Sequence, residues 1–380
     1  MKNIALLSLL LLLLGCNPQT GKGPTGLDEI PTYSALPNMP KNVILMIGDG
    51  MGLTQITAGM IKNDNKLNLE RCQFTGLHKS YSYDNLITDS AAGATAFACG
   101  IKTYNQAIGV GPDTLPRKTI LELLTRAGYK TGLVATSTIV HATPASFYAH
   151  VANRKQYEDI ATALSTCNVD YFVGGGLKYF NRRENDERDL VKEMMDNGYQ
   201  MSNYFEADFD SVEPDPTKKF GYLTADNDPL MASQGRNYLQ PATEEALQFL
   251  KAKSADDGFF LMVEGSQIDW GGHGNDANYI VTEMIDFDNT IGKVLDFAQA
   301  DGETLVVITA DHETGGFAIN PGSTKEEIIA AFTTKNHTGT MIPVFAYGPG
   351  ASLFSGIYEN TEIYYKIRHA LGMPVMEPGR

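Results

Sequence analysis

Three short apolar runs in this chain end in a carboxylate. VILMI (43–47) leads into Gly48, Asp49 and Gly50, FFLMV (259–263) into Glu264, and LVVITA (305–310) into Asp311 and His312. TGLVATS (131–137), YFVGGG (171–176) and PVFAYG (343–348) are further strand candidates. A strand with one wet face alternates apolar and polar residues, so an unbroken run implies cover on both faces. Helical patterns lie between the runs: one starts at Leu53, and TILELLTRAG (119–128) has helical spacing and ends at a glycine. The alternation predicts an α/β fold built on a mostly parallel, doubly wound sheet. Ligands of such sheets bind outside the carboxyl ends of the strands. Three strands would therefore deliver negative charge to one edge, where it needs cations, and bound metal is the economical source.

The 380 residues are 43% hydrophobic, enough for one large α/β domain or two ordinary ones. Acidic residues outnumber basic ones 45 to 30, a net charge of −15, and the basic residues do not cluster. That pattern argues against a nucleic-acid-binding surface. Residues 177–240 are polar, aromatic and proline-bearing. They read as an excursion from the sheet, helical near Arg188 to Gly198 and irregular afterwards, either lining the site entrance or decorating the surface.

The chain opens MKNIALLSLLLLLLGCNPQ, an apolar run too short to span a bilayer and of signal-peptide length. Its LLGC ending resembles a bacterial lipobox. The expectation is a signal peptide over 1–15, lipid on Cys16, and a flexible tether over 16–40 that is rich in Gly, Pro, Thr and Asn. That places the protein outside the cytoplasm, in the periplasm or cell envelope, with a membrane as partner. Cys72, Cys99 and Cys167 are an odd set, so this is no disulfide scaffold. Cys99 reads as a small buried residue, and pairing of Cys72 with Cys167 stays open.

TDSAAGATAF (88–97) places Ser90 where a helix begins, with polar caps before it and alanines after. A helix N-terminus offers free N–H groups and partial positive charge to a phosphate or alkoxide. Ser90 is thus a candidate nucleophile, although alone it would pass for a cap. IDWGGHG spaces Asp269 and His273 four apart, with glycines that could bring both to one ion. ADHETGG sets Asp311 beside His312, where both could serve one ion if the strand has ended; NHTG supplies His337. HATPASFYAHVANRK supplies His141, Thr143 and Arg154. Imidazole nitrogen with carboxylate oxygen suits zinc, and an all-oxygen set suits magnesium. His78, His150 and His369 lack strand-end context and read as structural or exposed.

GDGMG (48–52), TDSAAGATA (88–96), HATPASFYAHVANR (141–154), VEG with ID and H (263–273), TADHE (309–313) and HTG (337–339) occur in that order. Together they resemble the alkaline phosphatase family from about Asn42 to the C-terminus. The resemblance implies a single catalytic domain over 41–380, a three-layer sandwich with a large central sheet and helices on both faces. It implies phosphate monoesters as substrates and Ser90 as a nucleophile that becomes phosphorylated. It implies one zinc on Asp269, His273 and His337, and a second on Asp49, Asp311 and His312. Asp49 would bridge to a third site, usually magnesium, completed by Thr143 and Glu264, and Arg154 would grip two phosphate oxygens. His141 stands where relatives carry Asp or His, which leaves the third ion's identity open. Trp270, the sole tryptophan, replaces a Lys or His that reaches the phosphate through water. Family members are often homodimers. The rival readings are a phosphodiesterase or sulfatase of the same superfamily, and a non-catalytic surface lipoprotein that binds phosphate ligands. No C/S-x-P-x-R motif for a sulfatase is present, and the full ligand set argues against the others.

Overall fold

The computed structural model describes residue 36 and residues 38–374. The expected signal peptide, Cys16 and most of the tether lie outside the described residues. Ten strands form the main sheet: β1 (Asn42–Gly48), β2 (Phe74–Lys79), β3 (Lys130–Thr138), β4 (Tyr171–Gly175), β5 (Tyr199–Asn203), β6 (Lys219–Leu223), β7 (Phe259–Gly265), β8 (Thr304–Thr309), β9 (Ile342–Tyr347) and β10 (Gly356–Glu359). Their order across the sheet is β10-β2-β9-β8-β1-β7-β3-β4-β6-β5. Only β9 runs antiparallel to its neighbours; the other pairings are parallel.

Strand β1 shows why its run is unbroken. Val43, Leu45 and Ile47 face one core, with Phe97, Leu121, Leu164 and Ile363. Ile44 and Met46 face the other, with Ile56, Leu247, Met284 and Ile291. These partners come from α1 (Leu53–Lys62), α2 (Ser90–Cys99), α3 (Ile120–Arg126), α4 (Tyr157–Thr166), α5 (Leu190–Asp196), α6 (Leu239–Ser254), α7 (Gln267–Gly274), α8 (Ala277–Asp301) and α9 (Glu362–Ala370), of which all but α5 and α7 supply one here. Both faces are covered, and each such side chain contributes about 1.5–3 kcal/mol by burial. The expected α/β sandwich is what the chain forms.

The reading of residues 177–240 needs correction. The helix appears as α5, but β5 and β6 follow it and extend the sheet beyond β4 rather than leaving it. Tyr199, Met201 and Asn203 of β5 are buried while Gln200 and Ser202 are half-buried. β5 is the edge strand and alternates, so it gives no unbroken apolar run, while β6 beside it is short and carries Gly221. Cys72, Cys99 and Cys167 are all free thiols, which closes the question of a pair. No helix among the described residues is long and apolar enough to cross a membrane.

Candidate active site

Parallel register brings the acidic strand ends to one level. Ile47 pairs with Glu264 on one side and with Thr309 on the other. Asp49 and Asp311 therefore emerge two residues past matched positions. β8 has already ended at Thr309, so Asp311 and His312 turn to the same centre. Gly50, at φ +71, makes the turn after Asp49, and a Cβ there would lie 2.6 Å from the Asp269 Cα. No other residue type fits that close approach.

Helix α2 points its N-terminus at this centre. Asp89 is the N-cap, with Oδ1 accepting from the Ala92 N–H at 3.0 Å. All ten helix residues are buried. Gly93 allows the approach: a Cβ there would meet the Asp311 Cβ at 3.0 Å. Ser90, the first helical residue, sets its Oγ 3.3 Å from His312 Nε2. Arg154 reaches in from the segment after β3, with Nη1 donating to Asp89 Oδ2 at 3.1 Å and Nη2 lying 3.3 Å from His141 Nε2.

Carboxylates and imidazoles gather in three overlapping groups whose ligand atoms lie within 4.8 Å of one another: Asp269, His273 and His337; Asp49, Asp269 and His312; Asp49, His141 and Glu264. In the first, His337 Nε2 faces His273 Nε2 at 3.2 Å, while their Nδ1 atoms are held by the Thr88 and Lys335 carbonyls. A backbone carbonyl on Nδ1 fixes the proton there and leaves Nε2 free as a ligand. Asp311 joins the second group through Oδ2, 3.2 Å from His312 Nε2. Both Asp49 oxygens, Asp311 Oδ2, Glu264 Oε1, Thr143 Oγ1 and His141 Nδ1 are buried without a hydrogen-bond partner. Orphaned acceptors in this number are costly, and converging donors of these types fit metal ions.

The protonation behaviour agrees. Burial, reinforced by Asp311, Asp269 and Glu264, holds the Asp49 carboxyl well above the usual range. Burial pushes Glu264 and Asp311 up to about 7. Burial raises Asp269 too, but the His273 hydrogen bond and the surrounding imidazoles pull it well below the ordinary value. His273 rises to about 9 chiefly through that bond. Burial lowers His312 far below the imidazole range, and burial with the Arg154 charge lowers His141 to about 3. Burial opposes the Arg154 charge, yet Asp89 and Asp49 hold it. Asp49, Glu264 and Asp311 thus resist charging, and His141 and His312 are kept neutral. They stand beside an Asp269–His273 pair that favours charge, an arrangement suited to bound cations.

Every residue expected from sequence lies in this region, with differences of detail. Asp269 and His273 are brought together by helical i, i+4 spacing on α7, not by a flexible Gly-Gly link. His141 enters the third group directly as a nitrogen ligand candidate. Trp270 packs edge-on against His141, ring centroids 6.2 Å apart. His78 is buried and bonded to the Ala310 carbonyl, as a structural histidine should be. Sequence reading missed Asp89 as the anchor of Arg154. It also missed Thr314, whose Oγ1 donates to Asp269 Oδ1 at 2.5 Å and lies 3.2 Å from His312 Nδ1. Both sit inside motifs already quoted, but only the fold shows what they touch.

A serine at a helix N-terminus, beside an anchored arginine and a carboxylate–imidazole cluster, defines a metal-binding hydrolase on an α/β sandwich. The sequence profile of the alkaline phosphatase family matches residues 40–330 and 324–373. Alkaline phosphatase 3 of Bacillus subtilis (strain 168) is 34% identical, over 87% of this chain and 89% of its own. Alkaline phosphatase of Escherichia coli (strain K12) is 31% identical, over 92% and 90%. The solved alkaline phosphatase from the Antarctic bacterium TAB5 superposes with a TM-score of 0.83 at 46% identity, covering 89% of this chain and 99% of that one. Variants of that enzyme have been solved with magnesium bound in the M3 site. This chain belongs to the alkaline phosphatase family, and it is a phosphatase that hydrolyses phosphate monoesters.

Proposed function

We propose that hydrolysis proceeds through a phosphoserine at Ser90. The observation that carries this reading is the placement of Ser90 Oγ at the α2 N-terminus, 3.3 Å from His312 Nε2. In the first half, Oγ forms a bond to phosphorus while the bond from phosphorus to the ester oxygen breaks. The serine proton is released to solvent, and the alcohol departs after taking up a proton. In the second half, a water oxygen bonds to phosphorus, the Oγ–P bond breaks, and Ser90 recovers a proton as inorganic phosphate leaves. Arg154 holds two non-bridging oxygens with its planar fork. The first-turn N–H groups of α2 add a fixed positive field.

Asp269, His273 and His337 would hold one zinc, and Asp49, Asp311 and His312 a second. Asp49, Glu264 and Thr143, with His141, would hold a third ion, magnesium by analogy with the M3 site of the TAB5 variants. Bound zinc would lower the pKa of a coordinated hydroxyl and stabilise charge on the attacking and leaving oxygens. Broad specificity and a role in phosphate scavenging fit the chemistry. The apolar run, LLGC ending and Cys16 support export and a lipid anchor.

Hydrolysis of an aryl phosphate by wild type and Ser90→Ala, each before and after chelation, tests the mechanism. Wild-type activity should vanish with EDTA and return with zinc, and the substitution should cut turnover by orders of magnitude. Unchanged turnover in Ser90→Ala would rule out the covalent route.

A further inference from the structure

Glu313 follows His312 directly, yet nothing in the reaction uses it. Its side chain is buried, 5% exposed, and its carboxylate collects four donors. Oε1 accepts from Gln55 Nε2 at 2.7 Å and from the Phe317 N–H at 3.1 Å. Oε2 accepts from the Gly316 N–H at 3.2 Å and from the Thr338 hydroxyl. All four donors are neutral. Four N–H and O–H groups satisfy the oxygens of this buried side chain and fix its geometry.

The donors belong to the segments that carry metal-ligand candidates. Gln55, fully buried, lies on α1, which begins just past the Asp49–Gly50 turn, and its amide also donates to the Thr314 carbonyl at 2.8 Å. Glu313 and Thr314 form a short strand after Asp311 and His312. It pairs antiparallel with His337 and Thr338, Thr338 opposite Glu313 and His337 opposite Thr314. Only two residues pair on each side, and a ladder this short has little stability of its own. The Glu313–Thr338 bond ties that ladder from the side-chain direction. Without it, His337 would be held by the Thr88 carbonyl contact, by stacking on the His312 ring and by two residues of strand pairing.

We infer that Glu313 is a positioning residue: by holding Thr338 and Gln55 it sets where His337 stands relative to Asp269 and His273, and so sets zinc affinity at that group. The inference rests on the proposal that these three residues bind zinc. The groups that orient metal ligands typically change metal affinity 10–100-fold when removed.

Three variants test it. Glu313→Gln keeps the shape, but its amide nitrogen must face donors on one side or the other. Thr338→Val keeps the shape and charge but removes the hydroxyl, and Thr338→Ser restores it. The measurement is zinc affinity by competition with a colorimetric chelator, alongside circular dichroism and thermal melting of the metal-free proteins. Glu313→Gln and Thr338→Val should weaken one of the two tight zinc sites at least about tenfold. The other site should change little, and Thr338→Ser should stay near wild type. Wild-type affinity at both sites in folded Glu313→Gln and Thr338→Val would overturn the inference. So would an unfolded Glu313→Gln together with Thr338→Val of unaltered zinc affinity, since Glu313 would then serve folding alone. Failure of the underlying reading looks different: wild type itself would bind no zinc at His337, or would hydrolyse aryl phosphate without it.

Discussion

Arg154 Nη1 lies 3.1 Å from Asp89 Oδ2, while the other Asp89 oxygen caps the helix that begins with Ser90. One carboxylate thus registers the candidate nucleophile against the candidate phosphate clamp. Asp89 Oδ2 also accepts from the Gln106 N–H at 3.0 Å, which keeps the side chain from turning. Asp89→Asn should separate the two duties. Asparagine caps a helix about as well as aspartate, but its amide nitrogen would then face the Gln106 N–H, so melting temperature should fall modestly while the helix cap is kept. The guanidinium, however, loses a charged anchor worth more than a neutral bond. Inhibition by inorganic phosphate should weaken by roughly tenfold, an amount set by about 1.4 kcal/mol. An unchanged inhibition constant would show that Arg154 needs no such anchor.

The third group mixes one nitrogen donor with carboxylate oxygens: His141 with Asp49 and Glu264. Imidazole favours zinc over magnesium, and a hard oxygen ligand reverses the preference. Burial and the Arg154 charge already keep His141 neutral, its pKa lowered to about 3, so it is available as a ligand across the working range. His141→Asp should bind magnesium more tightly and show steeper activation by added magnesium. Metal analysis after dialysis against mixed zinc and magnesium would check this. An unaltered ratio of the two ions would place His141 outside the third site.

The sheet was legible where both faces are dry. VILMI, FFLMV and LVVITA announced β1, β7 and β8, and their terminal carboxylates announced the site, because burial on two faces and a charge at the end are both local properties. β5, β6 and the short pairing of His337 and Thr338 with Glu313 and Thr314 were not legible. β5 alternates, β6 is a short run interrupted by Gly221, and the last pairing is two residues a side. The same holds for site details. Asp269 and His273 were readable as a pair, but their helical geometry was hidden by two glycines that weaken helix propensity. Asp89, Glu313 and Thr314 matter through contacts with Arg154, Thr338 and Asp269, and no spacing encodes those.

Lys102 gives a stability signature in the alkaline range. Its side chain is buried, donating to the Tyr81 carbonyl at 2.6 Å, over the Tyr81 ring, and 3.3 Å from Glu359. Burial lowers its pKa from 10.5 to about 8, against the opposing pull of Glu359. Between those values the unfolded chain holds the proton that the fold has released. Stability from this group therefore rises with pH from about 8 to about 10.5, by at most on the order of 3 kcal/mol. Lys102→Met removes the titration. The difference in unfolding free energy, wild type minus variant, should grow across that window when measured by urea denaturation at fixed ionic strength. A flat difference would mean the ammonium keeps its ordinary pKa inside the fold.

Chelation should expose the opposite slope in the acid-to-neutral range. Without cations, burial raises Glu264 and Asp311 from 4.5 and 3.8 to about 7, and Asp49 moves the same way. An acid whose folded pKa is raised keeps its proton in the fold after the unfolded chain has lost it. Its contribution is full below the unfolded pKa and disappears as pH rises through the folded one. In the EDTA-treated protein the contribution of these three acids should therefore fall from about pH 4 to about pH 7. It falls against an opposing rise from His141 and His312, whose lowered pKa values favour the fold as pH increases. With zinc and magnesium bound, the same carboxylates face cations and ionise without that penalty, and binding to the folded state alone adds further stability. Asp269, held low by His273 and its neighbours, lies outside this group of raised acids. Melting temperatures of the metal-loaded and chelated protein should then diverge as pH increases across the window. Parallel curves would show that Asp49, Glu264 and Asp311 carry their charge without metal, and the case for ions at this centre would fail with them.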